Sequence, residues 1–243
     1  EGARPRGGGQ GLDRGADVVA IIRDIHPKYQ PAYQEETMEG LAGQVKGDIT
    51  VYEEVVRVFN EYSVETCFHL AAQAIVGAAN RAPLSTFETN IKGTWNVLEA
   101  ARSTGTLKGL VVASSDKAYG EHKRLPYTEE FPLNGLNPYD ASKACADILA
   151  RAYAQTYELP VAVARCANIY GGGDMNFSRI VPDTVRSLLQ GREPIIRSDG
   201  TPVTANDFVF AWRRLVDPAT AAEYAYMLAP VVNAEAITAG EKK

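Results

Sequence analysis

Tyr139 and Lys143, a tyrosine and a lysine one helical turn apart, open a strongly helical stretch of the sequence. Positions i and i+4 share one face of a helix, so the ammonium of Lys143 can lie near the phenol of Tyr139 and favour its ionised form. Tyr139 is therefore a candidate proton acceptor. Because this spacing also arises by chance in many helices, its interpretation depends on the residues that precede it.

A cluster of polar residues follows an apolar run upstream of this pair. The run VVA at 111–113 is followed by Ser114, Ser115, Asp116 and Lys117. Sheets of α/β proteins keep their chemistry at the carboxyl ends of the strands. We therefore expect this polar cluster and the tyrosine–lysine pair to form one site, with a solvated turn as the alternative for Asp116 and Lys117.

Apolar β-branched runs alternate with amphipathic segments along most of the chain, a pattern typical of an α/β fold. Buried strands are predicted at 16–24, 64–72, 107–115 and 160–170. Helices are predicted at 52–62, 83–103, 139–157 and 177–190. Residues 26–44 are predicted to be a loop. In the second helix, the stripe of Phe87, Ile91, Trp95 and Leu98 is predicted to face the core.

Five motifs connect these elements to a known family. They are FHLAAQ at 68–73, NIKGTWNVLEAAR at 90–102, SSDKAYG at 114–120, NPYDASK at 137–143 and RCANIYGGGD at 165–174. Their order and distances resemble the extended short-chain dehydrogenase/reductase family, in particular its NAD-dependent nucleotide-sugar epimerases and dehydratases. The resemblance covers about residues 17–198.

The fold that this resemblance implies is an incomplete Rossmann-like, doubly wound parallel sheet. The family begins with an apolar strand and a Gly-x-x-Gly-x-x-Gly loop that binds the cofactor pyrophosphate. Residues 1–15 read EGARPRGGGQGLDRG and match neither feature. We interpret them as a disordered or irregular leader, with a phosphate loop as the alternative, and residues 16–198 as a truncated NAD-binding domain.

The resemblance also implies a set of cofactor-binding residues. Their positions are Asp24, Asp48, Ile49, Leu70, Ala71, Ala72, Gln73, Asn90, Tyr139 and Lys143. A carboxylate suits the free ribose 2′-hydroxyl of NAD, whereas an arginine suits the 2′-phosphate of NADP. Because Arg23 precedes Asp24, the sequence leaves NADP open, and the resemblance favours NAD. For Asp48 and Ile49, the start of the helix at 52–62 is an equally good interpretation. His69 is interpreted as structural.

The implied reaction is 4,6-dehydration of a nucleotide-sugar. In the family Tyr139 accepts the proton of the 4-hydroxyl, Ser115 shares the hydrogen bond and Lys143 tunes the phenol. Asp116 and Lys117 then offer the acid and base for elimination, a pair that resembles CDP-glucose 4,6-dehydratases. Epimerases of the family, the alternative, usually have small residues there. The implied substrate-binding residues are Asn168, Asn176 and Arg179, with a plain surface position as the alternative for Arg179.

Composition limits the partners. The formal net charge of -5 and the pI near 5.4 give no electrostatic footprint for nucleic acid. The three cysteines have no metal-ligand spacing and are interpreted as buried thiols in a reducing compartment. No apolar run is long enough to span a membrane and no signal peptide is evident, so we expect a cytoplasmic protein without a membrane partner or a metal. The family resemblance suggests a homodimer.

The last segment, residues 199–243, departs from the family. It contains GTPVTANDFVFAWRRLVDPA and resembles a segment of the bacterial oligopeptide-binding proteins of ABC transporters. Thr204 and Asp207 form a variant capping box before an apolar helical pattern. The sequence thus predicts a chimera, in which the truncated Rossmann domain is joined near residue 198 to a helical appendage. A peptide-binding or interaction fragment is the alternative function from another class.

Overall fold

The computed structural model describes residues 15–24, 41–122, 126–169, 177 and 179–193. The chain divides into two units, Glu1–Ile169 and Tyr170–Lys243. The strands described in the first unit are β1 (Val19–Ile22), β2 (Gly43–Lys46), β3 (Thr66–His69), β4 (Gly109–Ser115) and β5 (Val161–Cys166). Its helices are α1 (Tyr52–Glu61), α2 (Val76–Arg81), α3 (Pro83–Phe87), α4 (Gly93–Thr104) and α5 (Pro138–Tyr157).

The described strands form two parallel sheets, in the orders β1-β2 and β3-β4-β5. The doubly wound order is 3-2-1-4-5-6. If β1 is the second strand of the doubly wound fold, then β2 and β1 correspond to its strands 3 and 2. Strands β3, β4 and β5 then correspond to its strands 4, 5 and 6. No ladder between described residues joins β1 to β3, which is where a first strand would lie. The α/β, partly Rossmann-like fold predicted from the sequence is therefore confirmed, whereas residues 1–14 and 194–243 lie outside the described residues.

The core of the first unit lies on one face of the β3-β4-β5 sheet. Leu110 and Val112 of β4 are buried there against Leu98 of α4 and Phe59 of α1. On the opposite face of the sheet, the side chain of Phe68 in β3 is 66% exposed. Parallel sheets are normally covered on both faces. The described core of the first unit thus lies on the same side of the sheet as α4 and α5.

The long helix predicted at 83–103 is interrupted by a π-helical segment, Glu88–Lys92, between α3 and α4. Each π turn adds a residue and rotates the helix faces on its two sides relative to each other. The prediction of one buried stripe is right for Leu98 and wrong for Phe87 and Trp95, of which Trp95 is 43% exposed. Polar Asn96 is buried instead, because its Nδ2 donates to the Ile49 carbonyl at 2.8 Å.

Strand β2 was not predicted, because its sequence, GQVK, carries little apolar signal. Only Val45 in it is buried, and among described strands β2 pairs with β1 alone. An edge strand held mainly by backbone hydrogen bonds needs few apolar residues. The remaining strands lie inside their predicted ranges.

In the second unit the structure describes the helix α6 (Ile180–Leu189), inside the range predicted from the sequence. Arg186 pairs with Asp183 one turn earlier, and its guanidinium lies 4.1 Å from the ring centre of Phe177. These contacts fix the residue that precedes the helix against its first turns. Within the described ranges, no helix has the length and apolar character needed to cross a bilayer.

Candidate active site

The carboxyl end of β4 continues directly into a short 3-10 turn, Asp116–Tyr119. Ser115 caps this turn, because its Oγ accepts a hydrogen bond from the Lys117 backbone N–H at 3.2 Å. The same hydroxyl donates to Asp116 Oδ1 at 3.0 Å, and Lys117 Nζ lies 3.8 Å from Asp116 Oδ2. The structure thus brings three of the predicted catalytic side chains into contact, with a hydroxyl, a carboxylate and an ammonium in sequence.

The helix that carries Tyr139 and Lys143 is anchored to the same end of β4. Pro138 occupies the first turn of α5, where its missing N–H is no loss. The Lys143 ammonium donates to the Ala113 carbonyl at 2.8 Å, and Ser114 Oγ donates to the Lys143 carbonyl at 3.4 Å. Both Tyr139 and Lys143 are buried. The strand end and the helix face therefore meet as predicted, although the lysine ammonium is held by β4.

Burial changes the pKa of the Lys143 ammonium. Desolvation lowers its pKa to about 8, and a nearby thiol, Cys166, partly opposes this shift. Its side chain lies against β4 and close enough to His69 to influence the titration of that imidazole. The ammonium is thus charged at neutral pH although its surroundings disfavour charge. Such perturbed groups are common at functional sites.

His69, at the end of β3, is a structural histidine, as the sequence predicted. Its Nε2 lies 2.9 Å from Thr94 Oγ1, and that hydroxyl donates its proton to the Asn90 carbonyl at 2.7 Å. Because the hydroxyl proton is already used, His69 Nε2 must be the donor, which fixes the tautomer. Burial first and the Lys143 charge second lower the pKa of His69 to about 4.

This histidine should make the fold sensitive to acid. Its folded-state pKa lies below the unfolded value of 6.5, so the unfolded chain binds the proton first as pH falls. The stabilisation present above pH 6.5 is lost between there and about pH 4, and amounts to about 2 kcal/mol from pH 7 to pH 5.

Urea unfolding of the wild type and of His69→Gln at these two pH values measures the effect. Glutamine keeps an amide donor for Thr94 but takes up no proton, so we expect a flatter acid profile. Equal slopes in the wild type and His69→Gln would remove His69 as the cause.

Asn90 ties the segment after β3 to α5. Its Oδ1 accepts from the Gln73 backbone N–H at 2.7 Å, while its Nδ2 donates to the Gln73 carbonyl at 3.2 Å and to Ser142 Oγ at 2.8 Å. Ser142 in turn donates to the Tyr139 carbonyl at 2.7 Å. The Asn90 side chain, predicted to bind the cofactor, thus hydrogen-bonds within the protein. Ser142 was not predicted from the sequence, where its only signal is its place beside Lys143.

The other predicted cofactor positions lie at strand ends. Asp24 follows β1 and pairs with Arg23 at 2.6 Å, and both side chains are exposed. Leu70 and Ala71 follow β3 and are exposed, whereas Ala72 and Gln73 are half-buried. The Asp48 carboxylate accepts from the Thr50 N–H at 2.8 Å in the turn before α1, and Ile49 packs in the core. Asp48 therefore forms a turn before the helix, whose N-cap residue is Val51, and its cofactor-binding role stays a prediction.

Comparison with known proteins now identifies the family. Residues 10–217 match the family described as GDP-mannose 4,6 dehydratase. The chain belongs to this family. Its relatives include the CDP-glucose 4,6-dehydratase of Salmonella typhimurium, 31% identical over 182 residues, which are 71% of this chain and 49% of the relative. The dTDP-glucose 4,6-dehydratase of Mycobacterium tuberculosis is 33% identical over 180 residues, 71% of this chain and 53% of the relative.

Two solved structures are similar to this chain in fold. A double mutant of DesIV, a dTDP-glucose 4,6-dehydratase from Streptomyces venezuelae with NAD bound, has a TM-score of 0.65 at 29% identity, covering 76% of this chain and 58% of its own. The UDP-glucose 4-epimerase of Thermotoga maritima has a TM-score of 0.68 at 27% identity, covering 79% and 61%. The chain spans about half the length of the relatives it matches in sequence.

The residues predicted to bind substrate belong to different units of the chain. Asn168 is exposed just after β5 in the first unit. Arg179 is exposed at the start of α6 in the second unit, and Asn176 lies outside the described residues. Beside the 3-10 turn lies an open cavity of about 640 Å³, whose lining includes Asp116, Tyr119 and Arg165. Arg165 was not predicted as a site residue, since its role depends on contacts with residues distant in sequence.

Proposed function

We propose that this family member is an NAD-dependent nucleotide-sugar 4,6-dehydratase. The observation that carries the proposal is the turn in which Ser115, Asp116 and Lys117 contact one another at the end of β4, where α5 anchors Tyr139 and Lys143. The turn supplies an acid and a base beyond those needed to oxidise an alcohol. The sequence relatives, which are CDP-glucose and dTDP-glucose 4,6-dehydratases, support the same reaction.

The described residues at the ends of β1 and β3 fit NAD. An exposed carboxylate, Asp24, follows β1 and can accept hydrogen bonds from ribose hydroxyls. Leu70 and Ala71, which follow the end of β3, are exposed residues and would be accessible to a ligand there. Bound NAD would supply acceptance and return of a hydride. Asp24 favours NAD, while Arg23 beside it leaves NADP as the alternative.

The first task of the protein is to remove a proton from the sugar 4-hydroxyl. Tyr139 is the proposed proton acceptor, and Lys143, one helical turn further along α5, is the proposed source of the positive charge that would favour the ionised phenol. Ser115, at the end of β4, is the proposed hydrogen-bond donor to the same sugar oxygen. To do this its hydroxyl must turn away from Asp116 Oδ1, to which it donates at 3.0 Å.

The second task is elimination of water across C5 and C6. A 4-keto group makes the C5 proton acidic, so one group must accept that proton and another must protonate the departing 6-hydroxyl. Asp116 and Lys117 are the proposed pair. Their side chains are 27% and 57% exposed, which leaves both accessible to a ligand. The alternative, a solvated turn, would leave these groups without a part in the reaction.

An epimerase is the second candidate function, supported by the similarity to the UDP-glucose 4-epimerase of Thermotoga maritima. An epimerase needs room for the keto sugar to turn over, and no acid or base beyond Tyr139. The charged pair after Ser115 is the feature that favours the dehydratase.

The proposal extends to a homodimer in the cytoplasm. Three exposed apolar side chains on α3 to α5 could be covered by a second copy of the chain, namely Leu84, Trp95 and Ile148. Light scattering of the purified protein tests the dimer.

Residues 199–243 and 1–15 keep their sequence interpretations as proposals. We infer that the former derive from an oligopeptide-binding protein and that the latter form an irregular leader. The seam near residue 198 follows from the change of sequence pattern alone, whereas the family match extends past it to residue 217. Limited proteolysis tests it: preferential cleavage near residue 198 supports a separate appendage, and uniform resistance argues against one.

Incubation with NAD and CDP-, dTDP- or UDP-glucose tests the proposed reaction. We expect a 4-keto-6-deoxy sugar from at least one of the three nucleotides, detected by mass spectrometry as the loss of one water. Conversion to the 4-epimer without loss of water would support the second candidate. Absence of both products with all three substrates would contradict the assignment to nucleotide-sugar chemistry.

A further inference from the structure

Arg165, in β5, joins four segments of the first unit. Its Nε and Nη2 donate to the two carboxylate oxygens of Asp147 at 2.6 and 3.0 Å. Its Nη1 donates to Tyr119 Oη at 2.9 Å and to the Glu129 carbonyl at 3.0 Å. The guanidinium also lies 5.0 Å from the centre of the Tyr119 ring. One side chain thus connects β5, α5, the 3-10 turn and the loop after it.

The contact with Asp147 fixes the catalytic face of α5. Asp147 is fully buried and follows Lys143 by one turn, just as Lys143 follows Tyr139. Residues at this spacing share a helix face. A bidentate pair at Asp147 therefore limits both rotation and sliding of the face that carries Tyr139 and Lys143.

The contact with Tyr119 fixes the other half of the site. Tyr119 ends the 3-10 turn that begins with Asp116. Its ring packs against Tyr127 at 5.1 Å and Phe131 at 6.4 Å between ring centres. Tyr127 also donates to the Gly120 carbonyl at 3.0 Å. The turn is thus held between this aromatic group and Arg165, and a change at Arg165 would be transmitted to Asp116 and Lys117.

We propose that Arg165 is a positioning residue that fixes the Asp116–Lys117 turn relative to the Tyr139–Lys143 face of α5. The catalytic part of this inference rests on the proposed function, whereas the mechanical part does not. Arginine suits this task because its planar fork can hold a carboxylate with two donors and still donate to Tyr119. Lysine would keep the charge but supply a single donor centre without the fork.

The test uses the full chain and the substitution Tyr119→Phe, which removes one hydrogen bond to Arg165 and keeps the aromatic ring. The matched control is Tyr153→Phe, which removes a tyrosine hydroxyl that donates to Glu99 at 3.0 Å, away from the turn. Amide hydrogen exchange is followed at Lys117 and Gly120, whose N–H groups bond to Ser115 Oγ and the Lys117 carbonyl. Exchange in the middle of α5 serves as the internal reference.

We expect Tyr119→Phe to accelerate exchange at Lys117 and Gly120 roughly tenfold, with α5 unchanged, and Tyr153→Phe to leave both amides at the wild-type rate. Arg165→Lys should show the same local acceleration, because the charge alone does not hold the turn. Unchanged exchange at the two amides in Tyr119→Phe, or equal acceleration throughout α5, would overturn the positioning role.

Turnover supplies the second readout. In Tyr119→Phe, elimination of the 6-hydroxyl should slow about tenfold while oxidation at C4 keeps its rate, because only the turn has moved. Equal slowing of both steps would overturn the catalytic part. If the wild type forms no product from any nucleotide-sugar, the proposed function fails, and the exchange measurement still decides whether Arg165 positions the turn.

Discussion

Replacing Lys143 by methionine is expected to stabilise the protein while abolishing the proposed dehydratase activity. The lysine side chain is only 7% exposed, and burial lowers its pKa from 10.5 to about 8. Keeping the ammonium charged at neutral pH therefore costs about 3 kcal/mol. Its hydrogen bond to the Ala113 carbonyl offsets about 1 kcal/mol of this. Methionine fills a similar volume without a charge, so we expect about 2 kcal/mol of added stability.

The pH dependence separates this cause from better packing. The folded-state pKa of Lys143 lies below the unfolded value, so between pH 8 and pH 10.5 the unfolded chain holds more protons. Wild-type stability attributable to this group should therefore rise with pH across that window. The advantage of Lys143→Met should be largest below pH 8 and should shrink as the pH approaches 10.5.

Chemical unfolding at pH 7 and pH 10 measures this difference. The matched control is Lys108→Met at an exposed lysine paired with Glu65, where we expect little change in stability. Activity is expected to fall by about 10³-fold or more in Lys143→Met and to stay near the wild-type level in the control. A less stable Lys143→Met variant would show that the hydrogen bond to Ala113 outweighs the burial of the charge.

The sequence predicted the helices and strands in which apolar residues recur at regular spacing. It missed features that are held by polar contacts. Strand β4 and helix α5 lie inside or within a residue of their predicted ranges, and both bury apolar side chains, such as Leu110 and Ala150. Strand β3 also lies inside its range, although its buried residue is His69 and Phe68 is exposed. Strand β2 was missed because backbone pairing with β1 needs no apolar side chains. The stripe prediction failed at Trp95 because periodicity cannot reveal a π segment or the partner that permits Asn96 to be buried.

The same limit applies to the site. Motif resemblance named Ser115, Tyr139 and Lys143, but spacing could not show that the Lys143 ammonium bonds to Ala113. Nor could it reveal that Arg165 connects the two halves of the site, because its partners Asp147 and Tyr119 are far from it in sequence. Hydrogen bonds between distant segments depend on the fold. The sequence therefore identifies candidate site residues but not their hydrogen-bond partners.

Separate substitutions of the turn should divide the reaction into its two steps. We expect Asp116→Asn and Lys117→Met each to slow loss of the 6-hydroxyl by about 10²-fold to 10⁴-fold, which is the usual contribution of a positioned acid or base. Oxidation at C4 should remain detectable in both, because it depends on Tyr139 rather than on the turn. Tyr139→Phe, the reciprocal variant, should lose oxidation and therefore all later product.

The structure predicts that neither turn substitution disturbs the fold. Asparagine at position 116 retains an acceptor for Ser115 Oγ, and the Lys117 side chain is 57% exposed. Single-turnover reactions analysed by mass spectrometry distinguish a 4-keto sugar that keeps its 6-hydroxyl from one that has lost water. Accumulation of the former in both turn variants would identify Asp116 and Lys117 as the elimination pair. Wild-type rates of dehydration in both would instead make the turn a solvated surface feature and would favour the epimerase, whose chemistry needs only Tyr139 and space for the sugar to rotate.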